Sequence, residues 1–155
     1  MNGYLMDTNH VTEWEAQNPV LVARVKSLPT TDMIFTSAIT LGEIAAGHEM
    51  TPGGDLHRRH LVRQFLNLNC IPNTVSVSHY TESYYGKIMG RLWKRKPPAS
   101  RSVPTETHLR NLGVDINDVW IVACAWEHGL TLLTSDSMTP IRDVTPEVTF
   151  ENWCV

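Results

Sequence analysis

No stretch of this sequence is apolar over the roughly 18 consecutive residues that a membrane-spanning helix needs. The N-terminus also lacks a signal-peptide pattern, because Asp7 interrupts its apolar start almost at once. The three cysteines, Cys70, Cys124 and Cys154, lie far apart and form neither a disulfide framework nor a CxxC zinc site. We therefore expect a protein of the reducing cytoplasm that does not associate with a membrane.

An excess of positive charge is also missing. The formal net charge is −3, which argues against bulk nonspecific binding of nucleic acid. The basic residues are nevertheless clustered, since five of the thirteen Lys and Arg fall within eleven positions: Arg91, Lys94, Arg95, Lys96 and Arg101. This basic stretch is either a local RNA-binding surface or a solvated helix end, where cations also complement the helix dipole.

Length and composition indicate one folded domain over residues 1–155. A hydrophobic content of 42% is typical of a globular chain of 155 residues with a single core. Short apolar runs alternate with helical patterns, which is typical of βα units. We predict an α/β fold with a mostly parallel central sheet flanked by helices.

The pattern predicts strands at residues 4–6, 33–36, 75–77, 130–133 and 148–150, and helices at 20–28, 56–68, 80–94 and 117–128. Thr40 and Glu43 match a capping box, so a further helix should begin at Thr40. Ser78 and Asn117 are predicted to cap the helices that follow them. Residues 97–111 are Pro-rich at their start and are predicted to form a long loop.

Four acidic residues lie where predicted strands end or predicted helices begin: Asp7, Glu43, Asp118 and Asp136. Each has a structural explanation if taken alone, as a capping or turn residue. In a parallel sheet, however, these junctions gather at one edge, where ligands bind. Clustered carboxylates repel one another unless a cation neutralises them, and an all-oxygen site suits Mg²⁺ or Mn²⁺. The sequence therefore predicts a metal-dependent enzyme acting on a phosphate ester.

Several neighbouring residues could support this site. Hydrogen bonds to the carboxylates or to phosphate oxygens are expected from Thr8, Asn9, Thr134 and Ser135. Asp115 could either cap its helix or compete for the metal. His10 is expected to be a surface or packing residue, because hydrolysis by a metal-bound water does not require a histidine base.

Four blocks of the chain, in order, resemble the PIN-domain nucleases, and in particular the VapC-type toxins of bacterial toxin–antitoxin pairs. The blocks are Leu5-Met6-Asp7-Thr8-Asn9, the segment 37–47 around Glu43, the segment 117–125 that begins Asn117-Asp118, and Leu132-Leu133-Thr134-Ser135-Asp136. The ending Phe150-Glu151-Asn152-Trp153 is also similar to these toxins.

The resemblance implies an Mg²⁺- or Mn²⁺-dependent endoribonuclease that acts on RNA, forms a homodimer and is blocked by a cognate antitoxin protein. Asp7 and Asp118 are the expected main ligands, while Glu43 and Asp136 would orient metal-bound waters or hold a second ion. The predicted helix at residues 80–94 has an apolar stripe that could serve either the core or self-association.

Two other functions are possible on the sequence. A phosphatase of the haloacid dehalogenase type also has an Asp after its first strand, but it needs a second acid two residues later, where this chain has Asn9. A catalytically silent PIN-like module that binds RNA or protein is disfavoured, because the four clustered acids would then be retained at a cost.

Overall fold

A five-stranded parallel sheet forms the centre of this computed structural model, which describes residues 2–51, 53, 56–70 and 73–155. Its strands are β1 (Gly3–Met6), β2 (Met33–Ser37), β3 (Thr74–Val75), β4 (Thr131–Leu133) and β5 (Phe150–Glu151). The strand order is β3-β2-β1-β4-β5, and every described pairing is parallel. The predicted α/β fold is confirmed.

The direction of chain progression reverses between β1 and β4. In the register of the central strands, Met6 pairs with Thr36 of β2 on one side and with Leu133 of β4 on the other. Such a reversal leaves a crevice at the carboxyl ends of the strands, which is where open α/β sheets bind ligands. The residue that follows β1 is Asp7, so the fold places this acid at the crevice.

Eight α-helices are assigned in the described part of the chain, and one π-helical turn, Leu66–Cys70, continues the fourth. They are α1 (Thr8–Glu15), α2 (Pro19–Lys26), α3 (Ala38–Met50), α4 (Leu56–Phe65), α5 (Thr81–Arg95), α6 (Thr105–Asn111), α7 (Ile116–His128) and α8 (Thr139–Arg142). None of these described helices combines the length and the apolar character needed to cross a bilayer.

The core has two parts, one on each face of the sheet. The first contains Ile88 and Leu92 of α5, the buried side of α7 and Leu132 of the sheet. The second contains Val11, Leu21 and Phe65, together with Met6 and Trp153. Cys124 is fully buried in the first part, as expected for a small apolar residue.

The apolar stripe of α5 belongs to the core. Its Tyr85 ring stacks on Trp120 of α7 with centroids 3.9 Å apart, and its Tyr84 ring meets Trp126 edge-on at 5.4 Å. Ile88 and Leu92 of the same stripe are buried. Of the two roles open on the sequence, the structure therefore selects packing against α7 for this face.

Three predicted helix caps are wrong. Helix α3 begins at Ala38 rather than Thr40, because Ser37 is its N-cap and accepts the Thr40 N–H at 3.0 Å. Helix α7 is capped by Asp115, which accepts the Asn117 N–H at 2.7 Å, so the cap lies two residues before Asn117. Helix α5 begins at Thr81 with no side-chain cap. Gly129 ends α7 in the left-handed conformation.

The prediction of one long loop at residues 97–111 is also wrong in its second half, because α6 occupies Thr105–Asn111. This helix buries His108 and Leu109 against the core. The edge strands are shifted from their predictions, since β3 ends at Val75 and β5 begins at Phe150. Short edge strands pair on one side only, which makes their ends hard to locate from a pattern.

Candidate active site

The four predicted acids line one open cleft at the carboxyl ends of the strands. The cleft has a volume of about 420 Å³ and is lined by Asp7, Thr8, Asn9, Glu43, Ala46, Met50, Asp115, Asp118, Ile121 and Asp136. This lining contains five carboxylates and no Lys or Arg. Elements that are distant in the chain therefore bring the predicted residues together, as the strand-end argument requires.

Asp7 lies deepest, with 2% of its surface exposed. It is the N-cap of α1, and its Oδ1 accepts the His10 N–H at 2.9 Å. Its own N–H donates to the carbonyl of Leu133 at 3.1 Å, which ties it to the neighbouring strand. His10 is fully buried beside it, so of the two expected environments for His10 the structure shows packing.

Glu43 is held by two neutral donors. The Thr8 hydroxyl donates to its Oε2, and the Asn117 side-chain amide donates to its Oε1 at 2.6 Å. Neither donor neutralises the negative charge, but together they fix the carboxylate plane. The Thr8 contact is one of the supporting hydrogen bonds expected from the sequence. The Asn117 contact is not, because Asn117 was assigned to the helix cap.

Asp136 follows β4 and is exposed. The side-chain amide of Asn9 donates from Nδ2 to Asp136 Oδ2 at 2.5 Å. The backbone N–H of Asp136 donates to the Thr134 hydroxyl at 3.1 Å. Asn9 therefore has the contact with a carboxylate expected of it, whereas the Thr134 hydroxyl accepts a backbone N–H and does not donate to a carboxylate in the described part of the chain. Ser135 is exposed next to these residues, and its hydroxyl forms no hydrogen bond with other residues in the described part of the chain.

Asp118 lies in the first turn of α7 and faces the other acids. Burial and the negative charges of Asp115, Asp136, Asp7 and Glu43 together raise the pKa of its carboxyl group to about 7. Burial is the largest cause, and the four carboxylates add to it in that order. Asp115 thus caps α7 and also contributes negative charge to the cleft.

The donor set fits Mg²⁺ or Mn²⁺ bound largely through water. Within the described ranges, no three or more His, Cys, Asp or Glu side chains are arranged to hold an ion by themselves. Mg²⁺ commonly retains several waters and takes only one or two carboxylates directly, so it needs no such cage. After burial, the negative charges of four neighbouring carboxylates contribute to the raised pKa of Asp118, and a bound cation would offset their repulsion.

Two members of the predicted basic stretch are engaged in ion pairs. Arg91 contacts Glu147 at 2.7 Å, and Arg95 contacts Asp143 at 2.9 Å. Lys94, Lys96 and Arg101 are exposed and form no ion pair with the described residues. The stretch lies beside α8, which begins three residues after Asp136.

Comparison with protein families gives one match, to the PIN domain, across residues 4–144. A comparison with curated proteins found no significant match. The structural relatives include one chain of a DNA-bound VapBC from Salmonella typhimurium, with 19% identity and a TM-score of 0.71. That alignment covers 99% of this chain and 100% of the other.

Two further relatives have similar values. A chain of VapBC2 from Rickettsia felis, bound to a promoter DNA fragment, has 20% identity and a TM-score of 0.69 over 97% of this chain and 98% of that one. A chain of VapBC-1 from nontypeable Haemophilus influenzae has 18% identity and a TM-score of 0.67 over 99% of both chains. At these identities the structures are evidence for the fold, while the family match covers most of the chain. The protein therefore belongs to the PIN domain family.

Proposed function

We propose that this protein is an Mg²⁺- or Mn²⁺-dependent endoribonuclease and the toxin of a toxin–antitoxin pair. The observation that carries the proposal is the convergence of Asp7, Glu43, Asp118 and Asp136 on one cleft, with Asp115 beside them. PIN domain membership supports a nuclease, and the VapBC relatives support a toxin that has an antitoxin partner.

The residues divide into ligands and supports. Asp7 and Asp118 would hold the ion, since Asp7 is fixed by capping α1 and Asp118 is partly buried beside the other four carboxylates. Glu43 is oriented by Thr8 and Asn117, and Asp136 by Asn9, so both can accept hydrogen bonds from metal-bound waters. When bound, such an ion polarises a phosphodiester and lowers the pKa of a coordinated water.

RNA would approach over the exposed cations of the basic stretch. Lys94, Lys96 and Arg101 are free to contact phosphates, whereas Arg91 and Arg95 would have to leave their carboxylate partners. The exposed Ser135 hydroxyl lies next to Asp136 and can donate to a phosphate oxygen. A cleft whose charged residues are all carboxylates repels phosphate, so a cationic approach and a bound cation are both needed.

The structure and the family match weaken both alternatives. PIN domain membership is inconsistent with a haloacid dehalogenase-type phosphatase, and Asn9 donates to Asp136 instead of supplying an acid. A silent binding module would gain nothing from five carboxylates in one cleft.

The test is cleavage of purified total RNA with Mg²⁺ or Mn²⁺, compared with the same reaction in EDTA. We expect discrete fragments with metal and intact RNA with EDTA. Re-addition of metal to the chelated protein is the control, and it should restore cleavage. Metal-independent cleavage, or no cleavage under any condition, would contradict the proposal. Co-purification with the small protein encoded by the neighbouring gene tests the antitoxin separately.

A further inference from the structure

His10 lies fully buried between Asp7 and the C-terminal segment, and its hydrogen bonds determine which ring nitrogen carries the proton. The Trp153 backbone N–H donates to His10 Nε2 at 3.1 Å. A nitrogen that accepts a hydrogen bond cannot also carry a proton in that direction. The imidazole proton is therefore on Nδ1, the nitrogen nearer to Asp7.

The Nδ1 atom faces the carboxylate. It lies 3.4 Å from Asp7 Oδ1, a few tenths of an ångström beyond a typical N–H···O hydrogen bond. It is buried and forms no hydrogen bond within the described residues, so Asp7 Oδ1 is the acceptor toward which it can donate. The same Oδ1 accepts the His10 backbone N–H at 2.9 Å. Both N–H groups of His10 are thus near one oxygen, and Oδ2 accepts no hydrogen bond from the described part of the chain.

The donor that fixes His10 is itself fixed. Trp153 is 1% exposed, and its ring lies 4.7 Å from Tyr4 of β1. Its indole N–H donates to Glu151 at 2.7 Å, and the Arg24 guanidinium lies over the ring at 4.8 Å. These contacts fix the position of Trp153, and its donor to His10 is a backbone N–H, which does not move when a side chain rotates.

We propose that His10 is a positioning residue for Asp7, held by Trp153 in the tautomer protonated at Nδ1. In this arrangement His10 keeps Oδ1 turned toward α1 and leaves Oδ2 as the oxygen available to an ion. The C-terminal segment acquires a role that its sequence alone did not indicate. The backbone of Trp153 thereby contacts the imidazole that lies beside Asp7.

The metal-positioning half of this inference rests on the proposed function, while the tautomer does not. The histidine tautomer of the wild-type protein is measured directly from two-bond ¹H–¹⁵N correlations of the imidazole. We expect a protonated Nδ1 and an unprotonated Nε2 for His10. A proton on Nε2, or on both nitrogens, would overturn the inference, and no variant has to fold for that result.

Two variants separate positioning from simple packing. The amide of His10→Asn reaches the place of Nδ1 and can still donate to Asp7, whereas the amide of His10→Gln reaches the place of Nε2 and can still accept from Trp153. The affinity of each variant for Mn²⁺ is measured without any RNA. Binding is monitored as the loss of the free-ion signal in electron paramagnetic resonance. Thermal unfolding of both variants reports their stability in parallel.

We expect His10→Gln to weaken Mn²⁺ binding by about tenfold or more, as for other partners of metal ligands, and His10→Asn to retain most of the affinity. Equal losses, or better retention in His10→Gln, would overturn the positioning role. If wild-type protein bound no Mn²⁺, the proposed function would fail and the positioning role with it, whereas the tautomer would still be decided by the spectrum.

Discussion

Asn117 donates from its side-chain amide to Glu43 Oε1 at 2.6 Å and so joins the first turn of α7 to α3 across the acidic cleft. The residue is half-buried, and its backbone N–H is occupied by the Asp115 cap. The Asp115 cap explains why the Asn117 side chain is free for Glu43. Asn117 carries no charge, but this contact gives it a part in orienting Glu43.

We expect Asn117→Ala to lower RNA cleavage by about tenfold, because Glu43 then loses one of its two fixed donors. The helix cap on Asp115 remains, so the thermal unfolding midpoint should change little. Asn111→Ala, at the exposed end of α6, is the matched control. Activity in Asn117→Ala equal to that of this control would show that the contact with Glu43 is not needed.

Stability of the metal-free protein should fall as pH rises through about 7. The pKa of Asp118 is raised in the folded state from its ordinary value of 3.8 to about 7, so its contribution to stability is fully present below about pH 4 and is lost as the folded group ionises. Chemical unfolding at pH 5.5 and 8, with and without Mg²⁺, measures how the free energy of unfolding changes with pH. Excess Mg²⁺ should restore stability at pH 8.

The variant Asp118→Asn removes the titrating group and serves as the control for this pH dependence. We expect its metal-free stability to vary less between these two pH values than that of the wild type. An identical pH dependence in the variant would refute the assignment of the effect to Asp118.

Neutralising Lys94 and Lys96 should weaken RNA binding and flatten its dependence on salt. Each lost phosphate contact lowers the slope of the logarithm of the binding constant against the logarithm of the salt concentration by about 0.7 for a single strand. Binding is measured across a salt series in Ca²⁺, which suppresses cleavage. Lys26→Gln, an exposed lysine on α2, is the control. An unchanged slope in Lys94→Gln/Lys96→Gln would favour the alternative of a solvated helix end.

Self-association is expected from the resemblance to VapC-type toxins, although the stripe on α5 is not available for it. Helix α3 instead exposes Gly42, Ala45, Ala46 and Met50, the last with 76% of its surface exposed. We expect light scattering at micromolar concentration to give about twice the 17.5 kDa mass of one chain. A mass of one chain at that concentration would contradict the homodimer.

The strand-end rule was sufficient to predict the acidic site. Asp7 directly follows the apolar run that forms β1, and Asp136 comes three residues after the run that forms β4, so a parallel sheet places both near one edge. Glu43 and Asp118 follow from the same argument, since their helices begin at that edge. These four positions depended only on local patterns and topology.

The contacts that orient the acids could not be predicted in this way. Thr40 with Glu43 matched a capping box, but Ser37 is the cap. Glu43 instead accepts hydrogen bonds from Thr8 and Asn117, which lie 35 and 74 positions from it in the chain. His10 accepts a hydrogen bond from the backbone N–H of Trp153, which is 143 residues away in the chain. Such contacts are set by tertiary packing, about which hydrophobic periodicity and capping preferences carry no information.

RNA cleavage by Asp7→Asn and by Asp118→Asn, each beside Glu82→Gln, tests the central claim most directly. Asparagine keeps the helix cap at position 7 and relieves repulsion at position 118, so both variants should fold. Glu82 is exposed on α5 outside the cleft and controls for loss of one negative charge. We predict that Glu82→Gln cleaves like the wild type in Mg²⁺ and that neither aspartate variant cleaves detectably. Near-wild-type cleavage by either aspartate variant would contradict the assignment of the active site.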